Sequence, residues 1–101
     1  MTPKEIMQKA INTYGLEKQM IKTVEELAEL SQALCKSFIR LTDYDPLASF
    51  QKDLESINNI FEEMADVEIM LAQCKMMFEC EDEVQDWKDK KLKRLQKRLE
   101  G

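Results

Sequence analysis

The stretch FEEMADVEIMLA, residues 61–72, sets four acidic side chains directly before an apolar run. The run, residues 69–72, follows Glu62, Glu63, Asp66 and Glu68. At about 100° per residue, apolar side chains beyond Asp66 surround a helix nearly all round, which indicates a helix buried among other helices. A carboxylate beside such a surface is costly unless a cation pairs with it or a metal ion binds it.

The whole chain has the composition of a helical protein. It has 101 residues, of which 44% are apolar and 35% charged, with only two Gly and two Pro. A chain of this size buries only about 60–65% of the surface that its unfolded form exposes. We therefore expect one helical domain over residues 1–101 that assembles into a homo-oligomer.

Several classes of protein are disfavoured by what the sequence lacks. No apolar run approaches the roughly 18 residues of a membrane span, and the N-terminus has no apolar signal core, so we expect a cytoplasmic protein without membrane contact. The three cysteines form no CxxC motif and histidine is absent, which argues against a disulfide framework and a structural zinc site. Any chemistry must then come from carboxylates, Lys, Arg or a metal that they hold.

Charge is unevenly distributed along the chain. Residues 88–98, KDKKLKRLQKR, hold seven basic residues and one acidic residue, which leaves eight basic and 19 acidic residues elsewhere, a net charge of −11. An acidic body argues against nucleic acid as the main partner. The basic segment is interpreted either as a phosphate contact or as a face that neutralises the acidic body.

The beginning of the chain carries the signals of a helix start. Thr2 and Glu5 have the spacing of a capping box, and Pro3 lies at the first helical position. Gly15 suits the position after a helix end. These signals predict a first helix that ends at about Tyr14.

Three or four further helices follow. The second is predicted from about residue 16 to 41, where TDYDP, 42–46, breaks the pattern; Asp45 and Pro46 are expected to cap and begin the next helix. Whether 46–55 is a separate short helix or the first turns of one helix ending near Phe78 stays open. The acidic stretch 79–83 predicts the start of the last helix.

Apolar residues recur at helical spacing along both long helices, which predicts one apolar face on each. On the second helix this stripe is Met20, Val24, Leu27, Leu34, Phe38 and Leu41. On the third it is Leu47, Phe50, Leu54, Ile57, Phe61 and Met64.

Two pairs of acids occupy corresponding places beside these stripes. Glu26 and Glu29 lie about 100° and 160° to one side of Leu27, the centre of the second helix's stripe. Glu63 and Asp66 lie at the same angles from the centre of the third helix's stripe. If the two helices pack antiparallel, four carboxylates face one another. The alternative for each pair is an ordinary solvated acidic face.

An all-oxygen site of this kind suits Mg²⁺ or Mn²⁺ rather than zinc. Mg²⁺ takes few protein ligands and keeps several waters, which leaves places for phosphate oxygens. Such a site suits binding of a nucleoside polyphosphate and activation of a water molecule.

The motifs EELAEL (25–30) and EEMADVEIML (62–71) resemble the EExxE and ExxD motifs of the MazG-like, all-α nucleoside triphosphate pyrophosphohydrolases. YGLEKQMIKTV (14–24) and KLKRL (91–95) are also similar to that family. The resemblance implies an all-α bundle of four to five helices, assembled as a dimer or tetramer. It also implies hydrolysis of (d)NTPs to a monophosphate and pyrophosphate.

The resemblance also implies roles for individual residues. The family's metal ligands fall on Glu26, Glu29, Glu63 and Asp66, with Mg²⁺ or Mn²⁺ as the ion. Which carboxylate is the general base stays open, and Glu25, at the first motif position, is expected to orient a ligand or a water. By similarity to the family's basic C-terminal positions, Lys91 and Arg94 are the expected phosphate contacts; the alternative is an ordinary basic face.

The chain departs from the family pattern in two ways. The spacer between Glu29 and Glu63, 33 residues long, exceeds the compact pattern, and its additional segment, 42–56, is interpreted as a helix that covers or extends the site. No clear aromatic pair is present for stacking a base, so that base preference stays open. The candidates, each with packing as the alternative role, are Tyr14, Tyr44, Phe50 and Trp87.

Three other functions stay open from the sequence. The first is phosphoribosyl-ATP pyrophosphohydrolase activity, which related all-α proteins have. The second is a non-catalytic helical oligomer or interaction module with the acids as a solvated face. The third is a nucleic-acid-binding regulator that works through residues 88–98, against which the acidic body argues.

Overall fold

The computed structural model is all α-helical in the part of the chain that it describes, namely the backbone of residues 1–42 and 49–101 and the side chains of residues 1–37 and 54–101. Four helices occur there and no strand, which confirms the predicted all-α class. None of these described helices has both the length and the hydropathy to cross a membrane. The helices are α1 (Pro3–Tyr14), α2 (Leu16–Thr42), α3 (Ser49–Phe78) and α4 (Glu81–Glu100).

The first helix begins with the predicted capping box. The Thr2 hydroxyl accepts a hydrogen bond from the Glu5 backbone N–H at 3.1 Å, and the Glu5 carboxylate accepts one from the Thr2 N–H at 3.4 Å. At the other end, the Gly15 N–H donates to the Ile11 carbonyl at 2.9 Å. Gly15 has φ +91° and ψ 158°, a conformation that only glycine adopts readily. Gly15 is therefore the single residue between the end of α1 and the start of α2.

The third helix is continuous from its first described residue. Residues 49–56 form its initial turns, so that the open choice between a separate short helix and one long helix falls to the long helix. The predicted cap at Asp45 and Pro46 lies outside the described residues. So does the rest of 43–48, which belongs to the additional segment 42–56 that was expected to cover or extend the site.

The joint between α3 and α4 has the hydrogen bonds of a Schellman motif. The Cys80 N–H donates to the Lys75 carbonyl at 3.1 Å, and the Glu79 N–H donates to the Met76 carbonyl at 3.3 Å. Glu79 occupies the position that glycine usually takes and has φ +51°. The three acids that follow favour the α4 N-terminus, where the helix dipole is positive.

The two long helices pack antiparallel, because Gln19 contacts Gln73 whereas Glu26, further along α2, approaches Glu63, earlier on α3. We call the surface between them the seam. Its buried residues are small or polar to an unusual degree, and among the described side chains they are Gln19, Thr23, Glu26 and Ala33 on α2 with Val67, Met70 and Gln73 on α3.

Hydrogen bonds hold the polar part of the seam together. The Gln19 side-chain amide donates to the Gln73 carbonyl oxygen at 2.7 Å. The Thr23 hydroxyl donates to the Gln19 backbone carbonyl at 2.8 Å and lies 3.3 Å from the Cys74 sulfur. Buried amides and hydroxyls are tolerated when they are paired in this way, so the seam fixes the register of α2 against α3.

The described residues of the predicted apolar faces do not form this seam. Met20, Val24, Leu27 and Leu34 are 39–66% exposed, and Leu54, Ile57, Phe61 and Met64 are 41–60% exposed. We call these eight residues the open stripe. The expectation that the part of α3 beyond Asp66 is buried on every side is also wrong within one chain, since Ile69 and Leu71 are half exposed. On α2, the buried residues of the seam and the exposed residues of the open stripe lie on faces about 90° apart around the helix axis.

The fourth helix packs least against the rest of the chain. It contacts α3 and contains no buried residue. The radius of gyration is 17.7 Å, against about 13 Å expected for a compact chain of this length. The helices of one chain are therefore loosely packed, and much of their apolar surface is uncovered.

Candidate functional site

Three carboxylates converge near the middle of the seam between α2 and α3. One oxygen each of Glu26, Glu29 and Glu63 lies within 4.8 Å of the other two. Glu26 is buried, Glu63 half-buried and Glu29 exposed, so that the group opens to solvent on the Glu29 side. We call these three residues the acidic group. The predicted meeting of acids from two antiparallel helices is thus present for three of the four predicted ligands.

The acidic group contains buried oxygens that lack a hydrogen-bond donor. Lys22 pairs with one oxygen of Glu26, Oε1, at 3.0 Å. The other oxygen of Glu26 and Oε2 of Glu63 are both buried and accept no hydrogen bond from any described residue. A buried carboxylate oxygen without a donor is destabilising. A cation at this point would remove that cost.

The charges within the group perturb the titration of its exposed member. The pKa of Glu29 is raised above its ordinary value of 4.5. The largest cause is the negative charge of Glu26, followed by the sharing of a proton with that carboxyl, desolvation and the charge of Glu63. Close like charges disfavour the ionised form of a carboxyl group, which is why the pKa rises.

Lys22 balances part of this charge. Its ammonium lies 3.0 Å from Glu26 and 3.9 Å from Glu25. The hydrogen bond to Glu26 is the largest cause that raises the pKa of Lys22. One lysine does not neutralise three carboxylates.

The ligand atoms present fit a hard divalent cation. All are carboxylate oxygens, which Mg²⁺ and Mn²⁺ prefer, and Glu26 and Glu63 each have a buried oxygen without a donor among the described residues. Three protein ligands leave coordination positions for water and phosphate oxygens.

The remaining predicted site residues lie outside the acidic group. Asp66 is exposed one turn beyond Glu63 on α3, and Glu25 is exposed beside Lys22. Lys91 and Arg94 are exposed on α4, which among the described helices packs only against α3. Their roles stay predictions.

Sequence reasoning missed Lys22 and the glutamine pair beside the acidic group. Lys22 is four residues before Glu26, a spacing at which side chains on one helix face meet, so the ion pair was visible in principle. Gln19 and Gln73 lie 54 positions apart, and no local pattern indicates that they meet in the seam.

Comparisons with known proteins assign no family to the chain: no family model, no curated protein and no solved structure matches it.

Proposed function

We propose that this protein is a Mg²⁺-dependent nucleoside triphosphate pyrophosphohydrolase, which converts a (d)NTP and water into a (d)NMP and pyrophosphate. One observation carries the proposal. Glu26 and Glu63 each hold a buried carboxylate oxygen that no described residue hydrogen-bonds, within one group of three carboxylates. The resemblance of the EExxE and ExxD motifs to the MazG-like family supports the reaction class.

In this proposal Glu26, Glu29 and Glu63 hold the ion. Mg²⁺ at such a site supplies charge to polarise phosphate oxygens and lowers the pKa of a bound water. The attacking water forms a bond to the α-phosphorus as the bond to the bridging oxygen breaks, and pyrophosphate leaves. A carboxylate of the site accepts the proton of that water. Asp66 is proposed as a further ligand or as this base.

Cations around the acidic group bind the phosphates. Lys22 already lies at the group, 3.0 Å from Glu26. Lys91 and Arg94 are proposed as further phosphate contacts at the site of a second copy of the chain, because within the described residues α4 packs only against α3. Glu25, 3.9 Å from Lys22, is proposed to hold that lysine in place.

The protein partner in this proposal is a second copy of the same chain. The open stripe leaves eight large apolar side chains on α2 and α3 at 39–66% exposure. Two α2–α3 hairpins that face each other through their stripes would form a four-helix arrangement with an apolar centre, as small helical domains require. A dimer, or a tetramer of two dimers, meets this requirement.

The test is pyrophosphate release from a panel of NTPs, dNTPs and phosphoribosyl-ATP, with Mg²⁺, Mn²⁺ or EDTA. We expect metal-dependent release from one or a few nucleotides. Glu26→Gln and Glu63→Gln should each remove at least 99% of turnover while the helical circular dichroism is retained. Glu62→Gln is the matched control: it removes one exposed charge next to Glu63 and should keep turnover within about twofold.

Three outcomes would contradict this proposal or part of it. Turnover of phosphoribosyl-ATP alone would move the chain to the related activity. No release from any nucleotide, with no rise in melting temperature on addition of Mg²⁺, would leave a helical interaction module whose acids bind no ion. Full activity of Glu63→Gln would remove the acidic group from the mechanism.

A further inference from the structure

A cavity of about 510 Å³ lies beside the acidic group, where the end of α1 meets the first turns of α2. Its volume is within the range of small-molecule sites. The lining residues from α1 and α3 are Tyr14 and Met70; those from α2 are Lys18, Gln19, Ile21, Lys22 and Glu25.

The cavity and the acidic group share a side of α2. Lys22 lines the cavity and is also the residue whose ammonium pairs with Glu26 at 3.0 Å. From Ile21 to Glu26 the helix rises by about 7.5 Å. A ligand with phosphates at the acidic group would therefore place its other end in this cavity. The open stripe lies on the other side of α2, so that assembly through the stripe leaves the cavity open.

The walls of the cavity suit a flat, polar-edged ring. The Tyr14 side chain is exposed at the rim, where its ring is available for stacking, and Ile21 and Met70 supply apolar surface. Gln19 lies in the cavity wall, buried, with one amide hydrogen given to Gln73. A carboxamide also has an acceptor oxygen and a second donor hydrogen, which are the groups that pair with the edge of a base.

We infer that this cavity binds the nucleobase and sugar of the substrate, with Tyr14 stacked on the base and Lys18 and Lys22 on the phosphate side. Aromatic stacking holds every base, because each has a π-face. The inference rests on the proposed function and extends it to a subsite that the acidic motifs do not contain. It also assigns a role to one of the aromatic candidates in the sequence.

Among the other aromatic candidates, only Trp87 has a side chain that the structure describes, and it does not line this cavity. Trp87 lies on α4, where the Lys90 ammonium is 5.0 Å from its ring centre. Tyr44 lies outside the described residues, as does the side chain of Phe50.

The experiment compares ligands with and without a base. Binding is measured by calorimetry in Mg²⁺ for the α,β-methylene analogues of the nucleotide panel and for inorganic tripolyphosphate. Tyr14→Ala should weaken binding of the preferred analogue about tenfold, in line with the effect of removing one stacking ring. Binding of tripolyphosphate should change less than twofold. Tyr14→Phe keeps the ring and should bind the analogue within twofold of the natural chain.

A second variant tests the cavity without changing Tyr14. Ile21→Trp places a large side chain on a half-exposed lining position and should weaken analogue binding while it spares tripolyphosphate. Circular dichroism and sedimentation check that both variants keep the fold and the assembly.

The outcomes separate the two proposals. If the natural chain hydrolyses nucleotides and Tyr14→Ala binds analogue as before, or loses analogue and tripolyphosphate alike, the base subsite is wrong and the proposed function stands. A change of assembly state in Tyr14→Ala would identify the cavity as part of a protein interface and overturn the subsite. If the natural chain binds neither analogue nor tripolyphosphate, the function and the subsite both fail.

Discussion

Glu26 places a carboxylate where two packed helices would ordinarily bury a leucine or an alanine. It is 6% exposed, one oxygen pairs with Lys22, and the other has no hydrogen-bond donor among the described residues. A buried ionised group of this kind costs several kcal/mol in the absence of partners. The residue therefore lowers the stability of the metal-free chain, and the proposed ion reverses that effect.

Replacing Glu63 by Gln should stabilise the metal-free protein. Glu63→Gln keeps the shape, removes one negative charge from the group and supplies a donor to the Glu26 oxygen that lacks one. We expect a gain of about 1 kcal/mol, which corresponds to roughly 4–8 °C in Tm for a domain of this size. Thermal unfolding in EDTA measures it.

The exposed Glu62→Gln variant is the control for this prediction and should shift Tm by less than about 2 °C, since isolated surface changes have small effects. A lower Tm for Glu63→Gln than for the natural chain would show that the Glu63 carboxylate has a partner that stabilises it.

The pKa of Glu29 predicts how metal-free stability depends on pH. Its pKa is raised in the folded chain, mainly by the charge of Glu26, so the folded state holds this proton more tightly than the unfolded state. Stability should then fall as pH rises from the ordinary value of 4.5 through the raised value. Chemical unfolding in EDTA across pH 4–7, on the natural chain and on Glu29→Gln, isolates this contribution by difference.

The affinity for Mg²⁺ should also depend on the protonation of Glu29, but with the opposite dependence on pH. Protons and Mg²⁺ compete for the Glu29 carboxylate, so that affinity for Mg²⁺ should increase as pH rises through the raised pKa. For the stability prediction, the contradicting result is a difference in unfolding free energy between the natural chain and Glu29→Gln that does not decline across pH 4–7. That result would contradict the raised pKa of Glu29.

The sequence predicted the acidic group well because it depends on local periodicity. Glu26 and Glu29 share one side of a helix, as do Glu63 and Asp66, and antiparallel packing brings the two sides together. It could not predict that Asp66 stays outside the group, since that depends on the rotation of α3 within the seam. Nor could it predict the partner of Gln73, which is set by the register of two distant segments.

At the scale of helices, boundaries were predictable and faces were not. The Thr2 capping box and Gly15 mark α1 by their chemistry, and both have the predicted structure. The stripe around Leu27 was predicted as one apolar face, and its described residues are exposed in the single chain instead of packing in the seam. Periodicity indicates that a face is buried; it does not distinguish burial against the same chain from burial against another.

Gly15 sets the angle between α1 and α2, and substitution there should be costly. Its φ of +91° and ψ of 158° lie in a region restricted to glycine. An added Cβ would meet no atom within 4 Å, so the whole effect is backbone strain. We expect Gly15→Ala to lower stability by about 1–3 kcal/mol, measured by urea unfolding.

Gly15→Asn distinguishes this conformation from the ordinary left-handed one. Asn tolerates left-handed helical angles but not this region, so it should destabilise the chain as much as alanine does. Recovery of stability with Asn would show that position 15 has left-handed helical angles.

Glu79 presents the opposite case at the joint between α3 and α4. It has φ +51° at the position of the Schellman motif that favours glycine. Glu79→Gly should raise stability by about 0.5–1 kcal/mol, the left-handed penalty of a side chain less the entropy lost by glycine. Glu79→Ala, which retains the penalty, is the control and should show no gain; a gain equal to that of glycine would assign the effect to charge instead.

The whole molecule has a larger radius of gyration than its length predicts. Eight of its exposed apolar side chains on α2 and α3 lie together in the open stripe. The molecule is flattened, with extents of 48 × 43 × 23 Å and a radius of gyration of 17.7 Å, and it leaves the open stripe and apolar residues of α4 exposed. Exposed apolar side chains gathered on one face are typical of interaction sites, which is why we propose that a second copy of the chain covers the open stripe.

A charge in the open stripe should separate the copies of the chain. Val24 is 66% exposed and lies within the stripe, so Val24→Glu would bury a charge in the proposed interface. Sedimentation should show the natural chain as a dimer or tetramer and the variant near the monomer mass of 11.9 kDa. The natural chain's Tm should also rise with concentration.

Ile6→Glu adds the same charge to an exposed apolar position on α1, outside the stripe, and should leave the assembly unchanged. Sedimentation of the natural chain as a monomer at every concentration would exclude the second copy as the occupant of the stripe.

The buried carboxylate oxygens of Glu26 and Glu63 also constrain how this protein can be improved in the laboratory. The oxygens that lower its stability are the ones proposed to bind the ion, so durability and activity compete at the same positions. A selection for heat-resistant variants, run without regard to turnover, should repeatedly recover neutral side chains at positions 26 and 63, in proteins that are inactive. Variants that are both durable and active should instead carry their changes at sites such as Glu79.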